Sequence, residues 1–174
     1  MWVVESESYV VGARVEAFYE RYRRAVLGRA RLLLGDGDAA KDAAQEVFLR
    51  LITSEARIFD QPSPASWLYR VTTNLCLNWM RDEKRRKELL VGRDLTTAYE
   101  SGTTANHPEA RALVLQIVRR MPSEMQEVAV YRFVDEMTLD EIAGLVGISP
   151  RTVGNRLVAF QQRMAVFARQ EQAA

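Results

Sequence analysis

Cysteine and histidine are almost absent from this chain. One cysteine, Cys76, cannot build an intrachain disulfide framework, and with one histidine, His107, it leaves too few soft donors for a zinc site. No metal and no cofactor is expected, and the lone thiol fits a reducing compartment. Long apolar runs are missing too: nothing approaches the roughly 18 residues a membrane helix needs. The start, Met1-Trp-Val-Val-Glu-Ser-Glu, lacks the basic-then-apolar order of a secretion signal. A cytoplasmic protein without membrane insertion is therefore expected. Charge of one sign does not dominate either, since 24 lysines and arginines face 23 aspartates and glutamates. No global basic field exists to hold nucleic acid non-specifically. Sheet-forming stretches such as Tyr9-Val10-Val11 are short and few, so the fold class expected is all-α.

What is present is helical periodicity, interrupted once. Between Val91 and His107 the chain turns to Gly92, Thr96, Thr97, Ser101, Gly102, Thr103, Thr104 and Asn106, and Pro108 restarts a helical pattern. Residues 91–107 are read as a flexible linker between two small helical domains, 1–90 and 108–174. The first domain holds 15 basic and 13 acidic groups, the linker 1 and 2, and the second domain 8 and 8. Any contact with nucleic acid must come from local stripes.

The most informative stretch runs from Met137 to Leu157. Thr138 and Glu141 are spaced as a capping box, and Leu139, Ile142, Ala143 and Val146 repeat to bury one helix face. Gly147 offers the left-handed residue that ends a helix, Ile148 pins the turn, and Ser149-Pro150 supplies an N-cap with proline in the first helical position. The next helix would bury Val153, Leu157, Phe160 and Met164, leaving Arg151, Thr152, Asn155 and Arg156 outward. This is the layout of a helix-turn-helix, whose second helix reads base edges in the major groove. From Ser149 to Arg163 there are three arginines and no carboxylate, a locally basic face. Two amphipathic helices joined at a glycine also occur in helical proteins that never meet DNA.

Two helices of the first domain carry further signals. From Ala39 to Ile52 one side, Ala40, Ala43, Ala44, Val47, Phe48 and Leu51, is spaced for burial. The other carries Lys41, Asp42, Gln45, Glu46, Leu49 and Arg50, a mixed patch that suits docking to another protein's helix and is equally what a solvated face looks like. Asp36, Asp38 and Asp42 do not make a calcium loop, because Val47 would occupy the position of the bidentate glutamate. From Ser66 to about Lys87, Leu68, Val71, Leu75 and Trp79 share one stripe, and Trp67, Arg70, Asn74, Asn78, Arg81 and Arg85 share another. Aromatic, amide and guanidinium groups together stack on unpaired bases and track phosphates, as single-stranded DNA requires. The segment Phe59-Asp-Gln-Pro-Ser-Pro-Ala65 reads as a proline-stiffened loop beside that stripe, with room for a flipped base. Core packing of Trp67 and a solvated basic helix end are the plainer reading.

In this order the elements resemble the bacterial sigma factors, specifically the small two-domain extracytoplasmic-function group, over about Val15 to Arg169. Asp42-Ala-Ala-Gln-Glu-Val-Phe-Leu-Arg50 is similar to the family's polymerase-docking helix. Ser66-Trp-Leu-Tyr-Arg-Val-Thr-Thr-Asn-Leu-Cys-Leu-Asn78 is similar to its strand-opening helix, and Met121-Pro-Ser-Glu with the C-terminal helices to its upstream-element domain. The resemblance implies that Asp42, Gln45, Glu46, Leu49 and Arg50 belong to the surface that meets core RNA polymerase, with Phe48 supporting from beneath. It implies that Asn74 meets a flipped base of the minus-ten element, within the stripe Trp67, Arg70, Asn74, Asn78, Arg81 and Arg85, and that residues 59–65 form the variable specificity loop. Arg151, Thr152, Asn155 and Arg156 fall in the helix that reads the minus-thirty-five element. It further implies an anti-sigma partner.

One departure stands out. Members of the family it resembles usually carry a basic residue where this chain has Gly154, and further basic residues along the stretch that here reads Val158-Ala-Phe-Gln161. A helix-interior glycine costs about 1 kcal/mol relative to alanine, and each missing arginine removes a contact, so upstream recognition is expected to be weak or unusual in sequence. The function expected is a promoter-specificity subunit that does no covalent chemistry. A dimeric helix-turn-helix regulator would leave the stripe from Trp67 to Arg85 without a purpose. An enzyme acting on nucleic acid would need a carboxylate cluster, a nucleophile with a histidine partner or a phosphate loop, none of which appears.

Overall fold

The computed structural model describes residues 3–90 and 108–172. Among the described residues eight α-helices run in the order α1 (Val3–Leu34), α2 (Gly37–Thr53), α3 (Glu55–Phe59), α4 (Pro64–Leu90), α5 (Pro108–Val118), α6 (Ser123–Ala129), α7 (Leu139–Val146) and α8 (Pro150–Gln172). A π-helical segment, Val130–Val134, continues α6. No strand occurs among the described residues, and no helix is long and apolar enough to cross a membrane. The chain separates into two compact units, Met1–Cys76 and Leu77–Ala174, so the division falls inside α4. The expected linker, residues 91–107, lies outside the described residues.

In the first unit α1 and α2 form an antiparallel hairpin. Gly35, at a φ of 75°, takes the left-handed conformation that closes α1, and its N–H donates to the Arg31 carbonyl. Asp36 then caps α2, its carboxylate accepting from the N–H groups of Asp38 and Ala39 at 2.9 and 2.7 Å. That cap starts α2 at Gly37, two residues before the expected start at Ala39. Val26, Ala30 and Leu33 of α1 are buried, as are Ala40, Ala43, Val47, Phe48 and Leu51 of α2. Small alanines let the two backbones approach, and each buried valine, leucine or phenylalanine contributes about 1.5–3 kcal/mol. Ala44, expected in the buried set, is only half-buried.

The long helix α4 begins at Pro64 rather than at Ser66. Ser63 accepts from the Ser66 N–H and Pro64 takes the first helical position, the same serine-proline start that opens α8. The expected loop therefore shrinks: Phe59 ends α3 and packs edge-on against Phe18 at 5.3 Å, Pro64 and Ala65 are already helical, and 60–63 remain. The buried face also differs from expectation. Leu68 and Leu75 are buried, but Val71 and Trp79 are half-buried, while Thr72, Thr73, Cys76, Leu77 and Met80 are buried. Threonine is admitted because each hydroxyl finds a carbonyl four residues back, Thr72 on Leu68 at 2.7 Å and Thr73 on Tyr69 at 2.9 Å. From α1 the buried Arg29 reaches across to donate to Thr73 Oγ1 at 3.2 and 3.3 Å and lies 4.5 Å over the Tyr69 ring.

The second unit contains the helix-turn-helix. Val118, Met121, Met125, Val128, Ala129, Val130, Tyr131 and Val134 supply buried side chains. The buried amide of Gln126 donates to the Val118 carbonyl at 3.0 Å. After the π-helical segment, Glu136 adopts a φ of 58°, a left-handed residue without glycine's freedom. Thr138 then caps α7 with the full capping box: the Glu141 N–H donates to Thr138 Oγ1 at 3.3 Å, and the Thr138 N–H donates back to Glu141 Oε2 at 2.8 Å. Gly147, at a φ of 78°, closes α7, and the Ser149 hydroxyl accepts from the Thr152 N–H at 3.1 Å to open α8. Ile142, Ala143 and Val146 are buried, as are Val153, Leu157 and Phe160, with Phe160 stacked on Phe133 at 5.5 Å. Leu139, expected in the buried set, is 40% exposed, because the first turn of α7 projects beyond the packed face. Met164 and Ile148 are half-buried.

The hydrogen bonds from the backbone and hydroxyl of Thr138 hold the Glu141 carboxyl below the usual carboxylate range. A lowered carboxyl pKa supports folding above the unfolded value and loses that support as pH falls through the folded one. Thr138→Ala should cost about 1 kcal/mol in denaturant unfolding at neutral pH. The difference from the native chain should shrink as pH drops below the ordinary glutamate value of about 4.3; a pH-independent difference would deny the capping box its role.

Candidate nucleic-acid interface and docking face

On α2 the expected docking residues lie opposite the buried alanines. Asp42, Gln45, Leu49 and Arg50 are exposed and Glu46 is half-buried. Arg50 Nε donates to Glu46 Oε1 at 2.8 Å, and Lys41 Nζ to Asp38 Oδ1 at 2.8 Å. Lys41 holds the Asp38 carboxyl below its ordinary value. Such surface pairs each contribute little to stability but fix where charge is presented. Leu49 is 56% exposed, Ile52 54% and Tyr19 41%. All three line an open groove of about 560 Å³ between α1 and α2, floored by Phe48 and Ala44 and edged by Arg23, Arg24 and Lys41. Tyr19 packs edge-on against Phe48 at 4.7 Å. The contributions of Tyr19 and Ile52 were not visible in the motif. Ile52 follows Leu49 by three residues, a usable signal, but only the hairpin brings Tyr19 alongside.

Along α4 the stripe Trp67, Arg70, Asn74, Asn78, Arg81 and Arg85 is turned away from the face buried through Thr72, Thr73, Cys76 and Met80. Asn78 and Arg85 are exposed, and Trp67, Arg70, Asn74 and Arg81 are half-buried. The Arg81 guanidinium donates to Asn78 Oδ1 and also, at 3.3 Å, to Gln126 Oε1 of α6, so this arginine is engaged within the second unit as well as on the stripe. Because all six sit on one continuous helix, their spacing is fixed by helical geometry alone. Of the expected specificity loop, Asp60, Gln61, Pro62 and Ser63 are exposed, and Gln61 Nε2 donates to the Arg57 carbonyl at 3.3 Å.

On α8 the four expected base-reading residues divide. Arg151 and Asn155 are exposed, whereas Thr152 and Arg156 are half-buried. The Thr152 hydroxyl shares a 2.8 Å hydrogen bond with Ser149 Oγ, so it is engaged in the cap that starts the helix. The outward stripe of α8 continues instead through Val158, 52% exposed, and Gln162. Neither was among the expected contacts.

Among the described residues no group of histidine, cysteine, aspartate and glutamate side chains is arranged to hold a metal ion. The fold and these surfaces describe an all-helical protein of two units with a helix-turn-helix in the second. Two family models match the chain: Sigma-70 region 2 over residues 18–86 and Sigma-70, region 4 over residues 111–159. The RNA polymerase sigma-E factor of Streptomyces avermitilis is 30% identical over 140 residues, covering 80% of this chain and 76% of that protein. The ECF RNA polymerase sigma factor SigW of Bacillus subtilis is 27% identical over 136 residues, covering 72% and 73%. "Probable RNA polymerase sigma factor RfaY" of Xanthomonas campestris pv. campestris is 27% identical over 128 residues, 70% of this chain but 32% of that longer protein. In solved structures, the fold is similar to a sigma factor RpoE crystallised with the anti-sigma factor NepR from Bartonella quintana. The TM-score is 0.58 at 14% identity, covering 88% of this chain and 96% of that one. The chain belongs to the sigma-70 family of RNA polymerase sigma factors, in its extracytoplasmic-function group. It is a transcription initiation factor and not an enzyme.

Cys76 marks the back of the α4 stripe. It is fully buried, and desolvation pushes its thiol up from 9.0 to about 12, against a smaller opposing pull from Arg29. The reactive thiolate is therefore withheld in the folded chain. A thiol reagent at about pH 8 should modify Cys76 only after denaturant unfolds the protein, and fast labelling of the native chain would contradict this packing. Because burial raises the folded thiol's pKa by penalising the thiolate, Cys76 has no effect on the pH dependence of stability below the unfolded value, and the folded state loses stability as pH rises from there towards the folded one.

Proposed function

We propose that the three surfaces divide one task, the selection and opening of a promoter. The outward side of α2, with Asp42, Gln45, Glu46, Leu49 and Arg50, docks on core RNA polymerase. The α4 stripe of Trp67, Arg70, Asn74, Asn78, Arg81 and Arg85 captures the opened minus-ten strand. Arg151, Thr152, Asn155 and Arg156 at the start of α8 engage the minus-thirty-five duplex. Residues 1–90 and 108–174 act as the two working domains, with 91–107 as the tether, in the cytoplasm where the polymerase is. The observation that carries this reading is the single helix α4, on which aromatic, amide and guanidinium side chains stand opposite a threonine-lined buried face.

The chemistry of each face fits its assigned partner. Trp67 offers a stacking surface, Asn74 and Asn78 offer amides able to pair with base edges, and the arginines follow phosphates. The α2 face offers exposed Leu49 and Ile52 among paired charges, which suits a protein helix more than DNA. A net formal charge of +1 implies weak binding to promoter DNA by the chain alone. Affinity is supplied jointly with polymerase, and the two domains add through their tether. A sigma factor of similar fold was crystallised with an anti-sigma factor, which supports control of this chain by such a partner covering its polymerase or DNA faces.

Asn74→Ala should leave binding to core polymerase within about twofold and reduce open-complex formation on a mapped promoter by about tenfold, the loss of one good base contact. Equal losses in both assays would remove the base-contact role. Leu49→Glu alters an exposed side chain, so folding should change by no more than about 0.5 kcal/mol. Its affinity for core polymerase should fall at least tenfold, as for an anchor at the centre of an interface; undiminished core binding would place the docking face elsewhere.

A further inference from the structure

The outward face of α8 has a shape that charge does not explain. At about 100° per residue, Arg151, Asn155, Val158 and Gln162 align on the side opposite the buried Val153, Leu157 and Phe160. Val158 is 52% exposed in the middle of this stripe, where a solvated helix gains nothing from a β-branched apolar side chain. Gly154 borders both Asn155 and Val158. A Cβ built on Gly154 would meet no heavy atom within 4 Å, so the fold itself has no steric need for glycine there. Side-chain length thus falls from the long Arg151 to the short Asn155 and Val158 beside an empty position, leaving a low step in the helix surface.

Such a step matters only if something approaches it closely. From Ser149 to Arg163 the helix carries three arginines and no carboxylate, which matches a polyanionic duplex. Arg151 to Val158 spans about 10 Å along the helix axis, about three base-pair steps at 3.4 Å each. Asn155 and Val158 are too short to reach a base edge unless the backbone of α8 lies near the floor of the groove. A side chain at 154 would hold it away. The only apolar group offered by a base edge in the major groove is the C5-methyl of thymine.

We propose that Val158 is a specificity-determining residue that packs against a thymine methyl group of the upstream element, with Gly154 permitting the close approach this contact requires. The inference rests on the reading of α8 as the duplex-reading helix. Recognition is then carried by fit against a methyl group in addition to charge, and the element bound contains a thymine within about three base pairs of the Arg151 contact.

The test uses holoenzyme reconstituted from the full chain and core RNA polymerase. Its probe is a duplex promoter fragment from a mapped start site with the upstream element randomised. Bound fragments are sequenced, and each enriched thymine is then replaced by deoxyuridine, which removes only the methyl group. One replacement should weaken binding by the native chain about fourfold, the worth of one buried methyl, and should have no effect on Val158→Ala holoenzyme. Gly154→Ala should melt at an equal or higher temperature than the native chain and still bind core polymerase, yet bind the selected fragment more weakly. Equal sensitivity to deoxyuridine in the native and Val158→Ala proteins, or undiminished binding by Gly154→Ala, would overturn the proposal while leaving α8 as a duplex reader. No enrichment at all upstream, with transcription still directed from the same start sites, would remove the upstream reading itself and this inference with it.

Discussion

The angle at which α4 is rotated about its own axis governs which of its side chains face outward. That angle is set by Arg29, a buried guanidinium from α1 that donates to Thr73 and lies over the ring of Tyr69. A buried charge is costly unless it is paired and hydrogen-bonded, so α4 must turn its threonine and tyrosine side towards α1. Turning that side inward sends Trp67, Asn74 and Asn78 outward. Rotation by one residue, about 100°, would separate Arg29 from its partners and carry the polar stripe out of line. The internal polar contact and the outward polar stripe are therefore two consequences of one helix orientation.

The second unit reaches a comparable outcome with local devices. Glu136 in a left-handed conformation, the Thr138–Glu141 capping box, Gly147 and the Ser149 cap fix where α7 begins and ends and where α8 begins, all within fourteen residues. Phe160 against Phe133 and the buried Val153 and Leu157 then fix the face of α8 that remains outside. Since every element of the turn is short and backbone-directed, the outward face can change composition without disturbing the fold. Gly154 and Val158 illustrate this tolerance, for they stand on the side that packs against nothing internal.

Neither unit is strongly charged, and this shapes how the factor works. A near-neutral chain has no long-range attraction for DNA, so local faces have to be brought to the promoter by a larger assembly. In the proposed division of labour, docking through α2 places the α4 stripe, and the tether raises the effective concentration of α8 near its duplex. In that proposed docking, the groove between α1 and α2, with Phe48 and Ala44 beneath and Arg23, Arg24 and Lys41 around it, adds apolar surface that the charged motif alone does not supply.

Much of this was legible in the sequence, and the parts that were not share a cause. Capping residues announce themselves through nearest neighbours: Thr138 with Glu141, Gly147 and Ser149-Pro150 all act as their spacing predicts. The same chemistry at Asp36 and Ser63-Pro64 was overlooked and moved the starts of α2 and α4 by two residues each. Apolar periodicity missed Thr72 and Thr73 in the buried face, because a threonine becomes buriable only when its hydroxyl finds a carbonyl and, for Thr73, an arginine from another helix. Tyr19 in the docking groove, the half-burial of Thr152 and Arg156, and the exposure of Val158 likewise depended on neighbours distant in the chain or on the packing of a whole helix. By itself the sequence determined most of the helices and the caps of α7 and α8, since those are set by contacts within a turn or two. Only the tertiary structure decided the edges of each buried face and which distant side chains stand beside each outward one, because those are set by long-range burial and by the pairing of groups such as Arg29 that periodicity does not register.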